Sequence, residues 1–449
     1  MRLTVIGTGY LGATHAAEDA EAGFEVLGLD VDEAKVAALR SGSLPFYEPG
    51  LSELITKHLQ TGRLRFTTSY EEAAQFGDVH FLAVGTPESP QNYAADMRYV
   101  HAAVDSLAPL LDRPAVVVGK STVPVGTAQE LSHRIRHLAP AGDAVNLVWN
   151  PEFLREGFAV QDTLAPDRIV IGVESTADGV GTGEKVMREV YGSMIEAGTP
   201  FLVVDYPTAE MVKVAVNSFL ATKISFINAM AEICEATGAD VTQLAEAIGH
   251  DDRIGAKFLR AGVGFGGGCL PKHIRAFMAR AGELGLSDSV AFLRDIDAIN
   301  LRRRSHTVAI AREMVGGRFV GKRVAVLGAA FKPDSDDVRD SPALDIAASI
   351  YTQCGDVVVY DPKARANAQR AFPNLHYVDG LHEALVGADL ILLLTEWTEF
   401  REMDPDEVGE VVAHRRMLDG RNVLSPTTWR AAGWEYRDWA GRGSNGRAG

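Results

Sequence analysis

Leu3-Thr4-Val5-Ile6-Gly7-Thr8-Gly9-Tyr10-Leu11-Gly12 decides the fold. A short apolar strand, Leu3 to Ile6, runs straight into a Gly-x-Gly-x-x-Gly turn. An alanine-rich stretch that reads as a helix follows, then a second strand from Glu25 to Leu29 that ends at Asp30. The glycine pattern alone is weak. Set between a strand and a helix, with an acid about 20 residues on, it marks a dinucleotide-binding turn. Gly7, Gly9, Tyr10, Leu11 and Gly12 would bring backbone close to a pyrophosphate at a helix N-terminus. Asp30 would accept bonds from the adenosine ribose, and its charge disfavours a 2′-phosphate. The cofactor therefore reads as NAD rather than NADP. Asp32 is a second ribose contact or a surface acid, and Lys35 covers the adenine edge or is solvated; the residues leave both questions open.

Outward from that turn, strands and helices alternate. Asp78 to Val84, Ala115 to Gly119 and Val145 to Trp149 read as buried parallel strands. Ligands of open parallel sheets sit beyond the carboxyl ends of the strands. Thr86, Pro87, Thr122, Glu152 and Glu156 fall there, with Phe153, Leu154 and Arg155 in the same loop. Any one of the threonines or acids is equally a helix cap or first-turn acid. Their arrival at one sheet edge favours a site.

From Pro207 the pattern changes. Residues 208 to 236 read as one helix, with Lys213 and Asn217 four apart on one face. A second helical region spans Ser287 to Glu313. Between them lies Gly264-Phe265-Gly266-Gly267-Gly268-Cys269-Leu270-Pro271-Lys272, a loop that presents its thiol. An isolated cysteine is more often a small buried hydrophobe. The four glycines point Cys269 towards nucleophilic work, whereas Cys234 and Cys354 read as packing. The first pattern then returns: Arg323 to Gly328, Val357 to Asp361 and Ala388 to Leu394 echo the first strands. This copy lacks the glycine triplet and should hold a nucleotide differently, with Lys332, Arg339 and Arg421 as anion contacts. The fold class is α/β: two Rossmann-like doubly wound parallel-sheet domains joined by a central long-helix region. The expected boundaries are 1–205 for an NAD-binding domain, 206–316 for the helical region with the cysteine loop and a dimer surface, 317–440 for the second nucleotide domain, and 441–449 for a disordered tail.

The chain of 449 residues is long enough for two or three domains. A formal charge of −16 argues against nucleic acid. Three cysteines form no metal-ligand spacing and no disulfide framework, so no metal is expected and a reducing cytoplasm fits. The N-terminus opens on a strand and no signal peptide is expected, and no apolar run is expected to reach the ~18 residues of a membrane helix. An aldehyde-to-acid oxidation uses a thiol. The thiolate adds to the aldehyde, hydride leaves, and water cleaves the thioester. One thiol and one NAD site can thus take an alcohol to a carboxylate.

Gly7 to Gly12, Asn150-Pro151-Glu152-Phe153-Leu154-Arg155-Glu156-Gly157, the helix with Lys213 and Asn217, and Gly264 to Lys272 together resemble the UDP-glucose/GDP-mannose dehydrogenase family. Gly328 to Pro342 and Asp419-Gly420-Arg421 extend the likeness over essentially the whole chain. The resemblance implies oxidation of a UDP-sugar by a homodimer without nucleic-acid or membrane partners, with UDP-glucose the leading substrate. It makes Cys269 the nucleophile and Lys213 the oxyanion stabiliser. Glu152 and Thr122 assist water or proton transfer, and Asn217 hydrogen-bonds nearby. Phe258, Leu259, Gly262 and Gly266 line the sugar-nucleotide site with Glu152 to Arg155, and Arg253 reaches a neighbouring subunit's substrate. Phe331, Lys332 and Arg421 hold the UDP side, and Arg339 lies near NAD. One position departs: the family has Pro-Lys-Asp after the cysteine, and this chain has Pro271-Lys272-His273. Glu152 supplies the base regardless, or thioester hydrolysis slows, or the change was introduced; the sequence does not choose. Two competing readings stand: another nucleotide sugar (GDP-mannose, a UDP-N-acetyl sugar or TDP-glucose), and a binding protein with weakened catalysis.

Overall fold

A computed structural model describes residues 1–89, 93–174 and 181–439. The expected tail at 441–449 lies outside the described residues. The chain divides into two compact units, Met1–Val216 with Arg275–Leu284, and Asn217–Ile274 with Gly285–Gly449.

The first unit carries eight strands: β1 (Arg2–Ile6), β2 (Glu25–Leu29), β3 (Leu64–Thr67), β4 (Val79–Leu82), β5 (Ala115–Gly119), β6 (Val145–Trp149), β7 (Ile169–Val173) and β8 (Phe201–Asp205). Their order is β3-β2-β1-β4-β5-β6-β7-β8. The first six are parallel in the doubly wound order. The sheet departs from the all-parallel expectation at one place, where β7 joins β6 antiparallel through Trp149 and Gly172. Side chains alternate between the two faces. Val116, Val118, Leu3 and Val5 pack with the alanines of helix Tyr10–Glu21, while Val117, Leu27 and Ile6 pack with Leu131 and Ile135 of helix Thr127–Leu138. Both faces are covered, which is why these strands read as unbroken apolar runs. Gly12 is where the first helix meets the sheet turn: a Cβ there would stand 1.8 Å from the Gly7 carbonyl oxygen.

The second unit repeats the plan with β9 (Arg323–Leu327), β10 (Asp356–Tyr360), β11 (His376–Tyr377), β12 (Leu390–Leu393), β13 (Arg416–Asp419) and β14 (Glu435–Arg437), ordered β11-β10-β9-β12-β13-β14 and all parallel. One apolar cluster runs from this sheet into Ile227, Ala231 and Cys234 of the long helix and Val308, Ala311 and Met314 of helix Ala291–Met314. The long helix spans Tyr206–Thr237, 32 residues, about 48 Å at ~1.5 Å per residue.

Two expectations change. The long helix contains an 18-residue window of mean hydropathy 1.3, so by length and composition one helix is apolar enough to cross a membrane. A core helix of a soluble protein passes the same test, and this one supplies Ala209 to one unit's core and Ile227, Ala231 and Cys234 to the other's. Cys354 is exposed rather than core. It sits at φ 62° in the turn after helix Pro342–Tyr351, two residues before β10 begins.

Candidate active site

In the first unit, the acid that ends β2 is tied into the glycine turn. Asp30 accepts from the Thr8 amide at 2.9 Å, the Thr8 hydroxyl at 3.2 Å, the Asp32 amide at 3.1 Å and Lys35 Nζ at 2.9 Å. Burial pushes the Asp30 carboxyl up, but Lys35 and the backbone donors outweigh it and hold it below the usual carboxylate range. Asp32 caps helix Glu33–Arg40 through the amides of Ala34 and Lys35. Gly7, at φ 90°, and the close-packed Gly12 shape the tight turn between β1 and helix Tyr10–Glu21. Thr86 and Thr122 belong to one brace at the ends of β4 and β5. The Thr86 hydroxyl donates to the Thr122 carbonyl at 2.8 Å, and Ser121 donates to the Val84 carbonyl at 2.7 Å. The Pro87 carbonyl accepts from the Asp96 amide.

After β6 the chain enters the acid loop. Asn150 is fixed by Lys120 Nζ at 3.0 Å, by the Tyr191 hydroxyl at 2.6 Å and through its own donation to the Val170 carbonyl at 2.8 Å. Two residues on, Glu152 pairs with Lys213 Nζ at 3.0 Å and accepts from the Leu154 amide at 2.6 Å. Both side chains are largely buried, so the pair stands in a weakly screened setting. Phe153 lies under both cations, with Arg168 at 4.0 Å and Lys213 at 5.6 Å from its ring centre. Arg155 is committed to Asp162 and stacks on Phe158. Glu156 contributes to holding the neighbouring Tyr10 hydroxyl protonated, after burial and Glu48. One helical turn before Lys213, Glu210 accepts from the amides of Gly126 and Ala128 at 2.7 and 2.6 Å. It thereby caps helix Thr127–Leu138 and fixes the start of the long helix.

In the second unit the cysteine loop is held along its length. Asn300 accepts from the Phe265 amide at 2.7 Å and donates to the Phe265 carbonyl at 3.0 Å. Asn228 accepts from the Gly262 amide at 2.8 Å, and the Arg339 carbonyl accepts from the Gly267 amide at 2.8 Å. Arg304 reaches the Phe265 and Asp340 carbonyls and pairs with Asp340 and Asp345. The glycines are needed for space. A Cβ on Gly266 would be 2.3 Å from the Asp340 carbonyl oxygen, and one on Gly268 would be 2.2 Å from the Arg339 guanidinium carbon. Cys269 emerges exposed at the start of helix Leu270–Glu283, where helix N–H groups favour negative charge. His273 lies one turn on, its amide bonded to the Cys269 carbonyl at 2.9 Å. Its buried ring meets Asn217, with Nδ1 against the amide nitrogen. With Asn217 donating, Nδ1 accepts.

The remaining expected substrate residues fall in the second unit. Leu259 is buried, and Phe258 sits at φ 66°, a backbone region unusual for a large side chain. Arg421 is anchored by the carbonyls of Leu394, Gly264 and Phe331 and pairs with Glu396 at 3.3 Å. Lys332 Nζ lies 5.4 Å from the Phe331 ring centre. Arg253 is exposed and paired with Asp251. Arg339 packs against the Gly268 position beside Cys269 and pairs with Asp337. The acid at the end of β10 differs from Asp30. Asp361 spends both oxygens on the amides of Ala329, Ala330, Lys363 and Ala364 and on Trp397 Nε1. It is consumed as internal scaffold. Among the described residues, no group of three or more His, Cys, Asp or Glu could hold a metal ion.

Lys120, Glu210, Asn228, Asn300, Arg304 and Glu48, which hold these loops, carried no expected role from the sequence. A lysine at the end of an all-apolar strand (Lys120) and an Asn–Arg pair four apart on one helix (Asn300, Arg304) were the available signals.

The family's NAD binding domain is matched by residues 1–195, its central domain by 207–302 and its UDP binding domain by 325–426, all described as UDP-glucose/GDP-mannose dehydrogenase family. A UDP-glucose 6-dehydrogenase of Rhizobium meliloti is 40% identical over 439 residues, covering 97% of this chain and 98% of that one. The solved structure of a UDP-glucose dehydrogenase from Pyrobaculum islandicum superposes with a TM-score of 0.88 at 36% identity, over 98% of this chain and 97% of that one. A UDP-D-ManNAc dehydrogenase from Pyrococcus horikoshii superposes at 0.84 with 26% identity, over 99% and 100%.

Proposed function

This chain belongs to the UDP-glucose/GDP-mannose dehydrogenase family, and from that premise we propose that it is a UDP-glucose 6-dehydrogenase, oxidising UDP-glucose to UDP-glucuronate. The observation that carries the reading is an exposed thiol at a helix start, on a clamped glycine loop, in a chain that also holds a buried Lys–Glu pair at a dinucleotide sheet edge. Residues 1–205 serve the cofactor, 206–316 the chemistry and 317–440 the UDP moiety. The glycine turn and Asp30 would hold NAD, and two NAD molecules bound in succession would each accept one hydride per sugar.

The work of this chain's own residues follows. Loss of hydride from C6 and a proton from its hydroxyl leaves an aldehyde. The Cys269 thiolate adds to that carbonyl, forming a C–S bond and an oxyanion. Lys213, on the helix turn before Asn217, is the donor for that oxyanion. Loss of the second hydride from the same carbon gives the Cys269 thioester. Glu152 and Thr122 help deliver water. Attack breaks the C–S bond and returns the thiol with a carboxylate product. His273 meets Asn217 at the position where the family carries a carboxylate, so hydrolysis is the step we expect to slow. Two alternatives have supports of their own. The Pyrococcus relative is a UDP-D-ManNAc dehydrogenase, and His273 favours a chain that binds but turns over weakly. NADH formation with UDP-glucose, UDP-N-acetylmannosamine, GDP-mannose and TDP-glucose tests the choice. Rapid NADH with UDP-glucose alone supports the proposal; preference for another sugar overturns it.

The chain also has the surface for a homodimer. Phe219, Phe226 and Ile233 repeat every seven residues on the long helix and are 65%, 46% and 54% exposed. A monomer mass in light scattering at working concentration would remove this part of the proposal.

A further inference from the structure

Glu48 is a buried carboxylate, 4% exposed, and none of the described lysines or arginines pairs with it. Its oxygens are held by hydrogen-bond donors from two separate places. The Tyr10 hydroxyl donates to Oε2. The Gly157 amide donates to Oε2 at 2.6 Å, and the Ala159 amide donates to Oε1 at 2.8 Å. The Gly157 amide also reaches the Tyr10 hydroxyl oxygen at 3.1 Å, and the Tyr10 ring packs on Phe46 at 5.1 Å between ring centres. All of these residues lie in the first unit. Tyr10 opens the helix whose N-terminus is the pyrophosphate cradle, and Gly157 closes the acid loop that begins at Asn150.

We infer that Glu48 is a positioning residue that couples cofactor binding to sugar-nucleotide binding. The inference rests on the functional reading above. A buried carboxylate without a cation depends on charge-assisted hydrogen bonds for its place. Here those donors belong to the cofactor turn on one side and the acid loop on the other. Restraining Tyr10 restrains Glu48, and Glu48 restrains Gly157 and Ala159. The loop's first end is already fixed at Asn150 by Lys120 and Tyr191. Glu152 lies between these two anchors, facing Lys213. Filling the cradle therefore narrows the range of positions open to Glu152, Phe153 and Glu156, and binding of the sugar nucleotide to that loop steadies the cradle in return. Linkage requires the effect to be equal in both directions.

The test uses NADH with UDP-glucose, a pair that cannot turn over. The dissociation constant of UDP-glucose is measured by calorimetry with and without saturating NADH, in wild type, Glu48→Gln and Tyr10→Phe. The readout is the ratio of the two constants, which a uniform loss of affinity leaves unchanged. The expected wild-type ratio is about 5-fold or more, falling to within about 2-fold of unity in either variant. Should Glu48→Gln fail to fold, Tyr10→Phe, which removes one hydroxyl, carries the test. A wild type that binds both ligands without mutual effect, or variants coupled as strongly as wild type, overturns the inference alone. A wild type that binds NADH and no UDP-glucose overturns the functional reading and the coupling with it.

Discussion

Gly266→Ala tests whether the cysteine loop is as tightly fitted as its contacts indicate. The added Cβ would lie 2.3 Å from the Asp340 carbonyl oxygen and 2.8 Å from Pro342 Cδ. A separation below 3.0 Å is not sustained by real Cβ atoms, and the nearest obstacle is backbone rather than the far end of a flexible side chain. The loop or the Asp340 segment must therefore give by about 0.7 Å. Neither moves alone. Phe265, next in the chain, is held by both sides of the Asn300 amide, and Arg304 ties Asp340 to the Phe265 carbonyl. Overpacking of this kind costs about 1–3 kcal/mol of stability. A displacement near 1 Å, passed three residues along to Cys269, costs about 100-fold in rate. Gly380→Ala is the control, since its Cβ would meet nothing within 4 Å. Thermal melting and UDP-glucose-dependent NADH formation at saturating NAD read both effects. A Gly266→Ala enzyme with wild-type melting and a rate within about 2-fold of wild type would refute the fitted-loop reasoning.

Glu152→Gln leaves Lys213 without its buried anionic partner. It should destabilise by about 3–5 kcal/mol, read as a lower denaturation midpoint, and lower kcat. Cys269→Ala should abolish UDP-glucuronate formation, and UDP-glucose binding by calorimetry should survive. His273→Asp should raise the steady-state rate; an unchanged rate would remove the role given to this departure. The stability of the first unit should fall in acid. His80 is fully buried, with Nδ1 against the Thr4 hydroxyl at 2.7 Å and Nε2 unpartnered, and burial lowers its pKa to about 3. Between about pH 6.5 and 3 the unfolded chain binds the proton and the folded one does not. Stability is thus present above pH 6.5 and is lost by up to about 1.4 kcal/mol per pH unit below it. Melting from pH 7 to 5 should show a shallower slope in His80→Leu than in wild type.

Much of this fold was legible because its signals are local. The strand–glycine–helix succession at Leu3 to Gly12 and its echo at Arg323 to Gly328 fix two doubly wound sheets, since periodicity and turn chemistry act within a few residues. The antiparallel step at Trp149 was not legible, because pairing direction depends on where distant strands meet. Cys354 looked like core for a similar reason: it precedes an apolar strand, but packing begins only at Gly355. The candidate site residues stood out in the sequence by type and position at strand ends and in the glycine loop. The second layer did not. Glu48, Asn228, Asn300 and Arg304 act through backbone amides and carbonyls tens to hundreds of residues away, and no spacing rule connects an acid at 48 to an amide at 157. Long-range side chain-to-backbone bonds of this kind become visible only once the chain is folded.

In the reaction proposed above, one thiol and one cofactor site carry a sugar alcohol through to a carboxylate. Counting NADH formed per UDP-glucose consumed, and per enzyme, tests it most directly. Two NADH should form per sugar, with a burst followed by a slower steady rate set by thioester hydrolysis beside His273. One NADH per sugar with a free aldehyde product, or undiminished stoichiometry in Cys269→Ala, would contradict it.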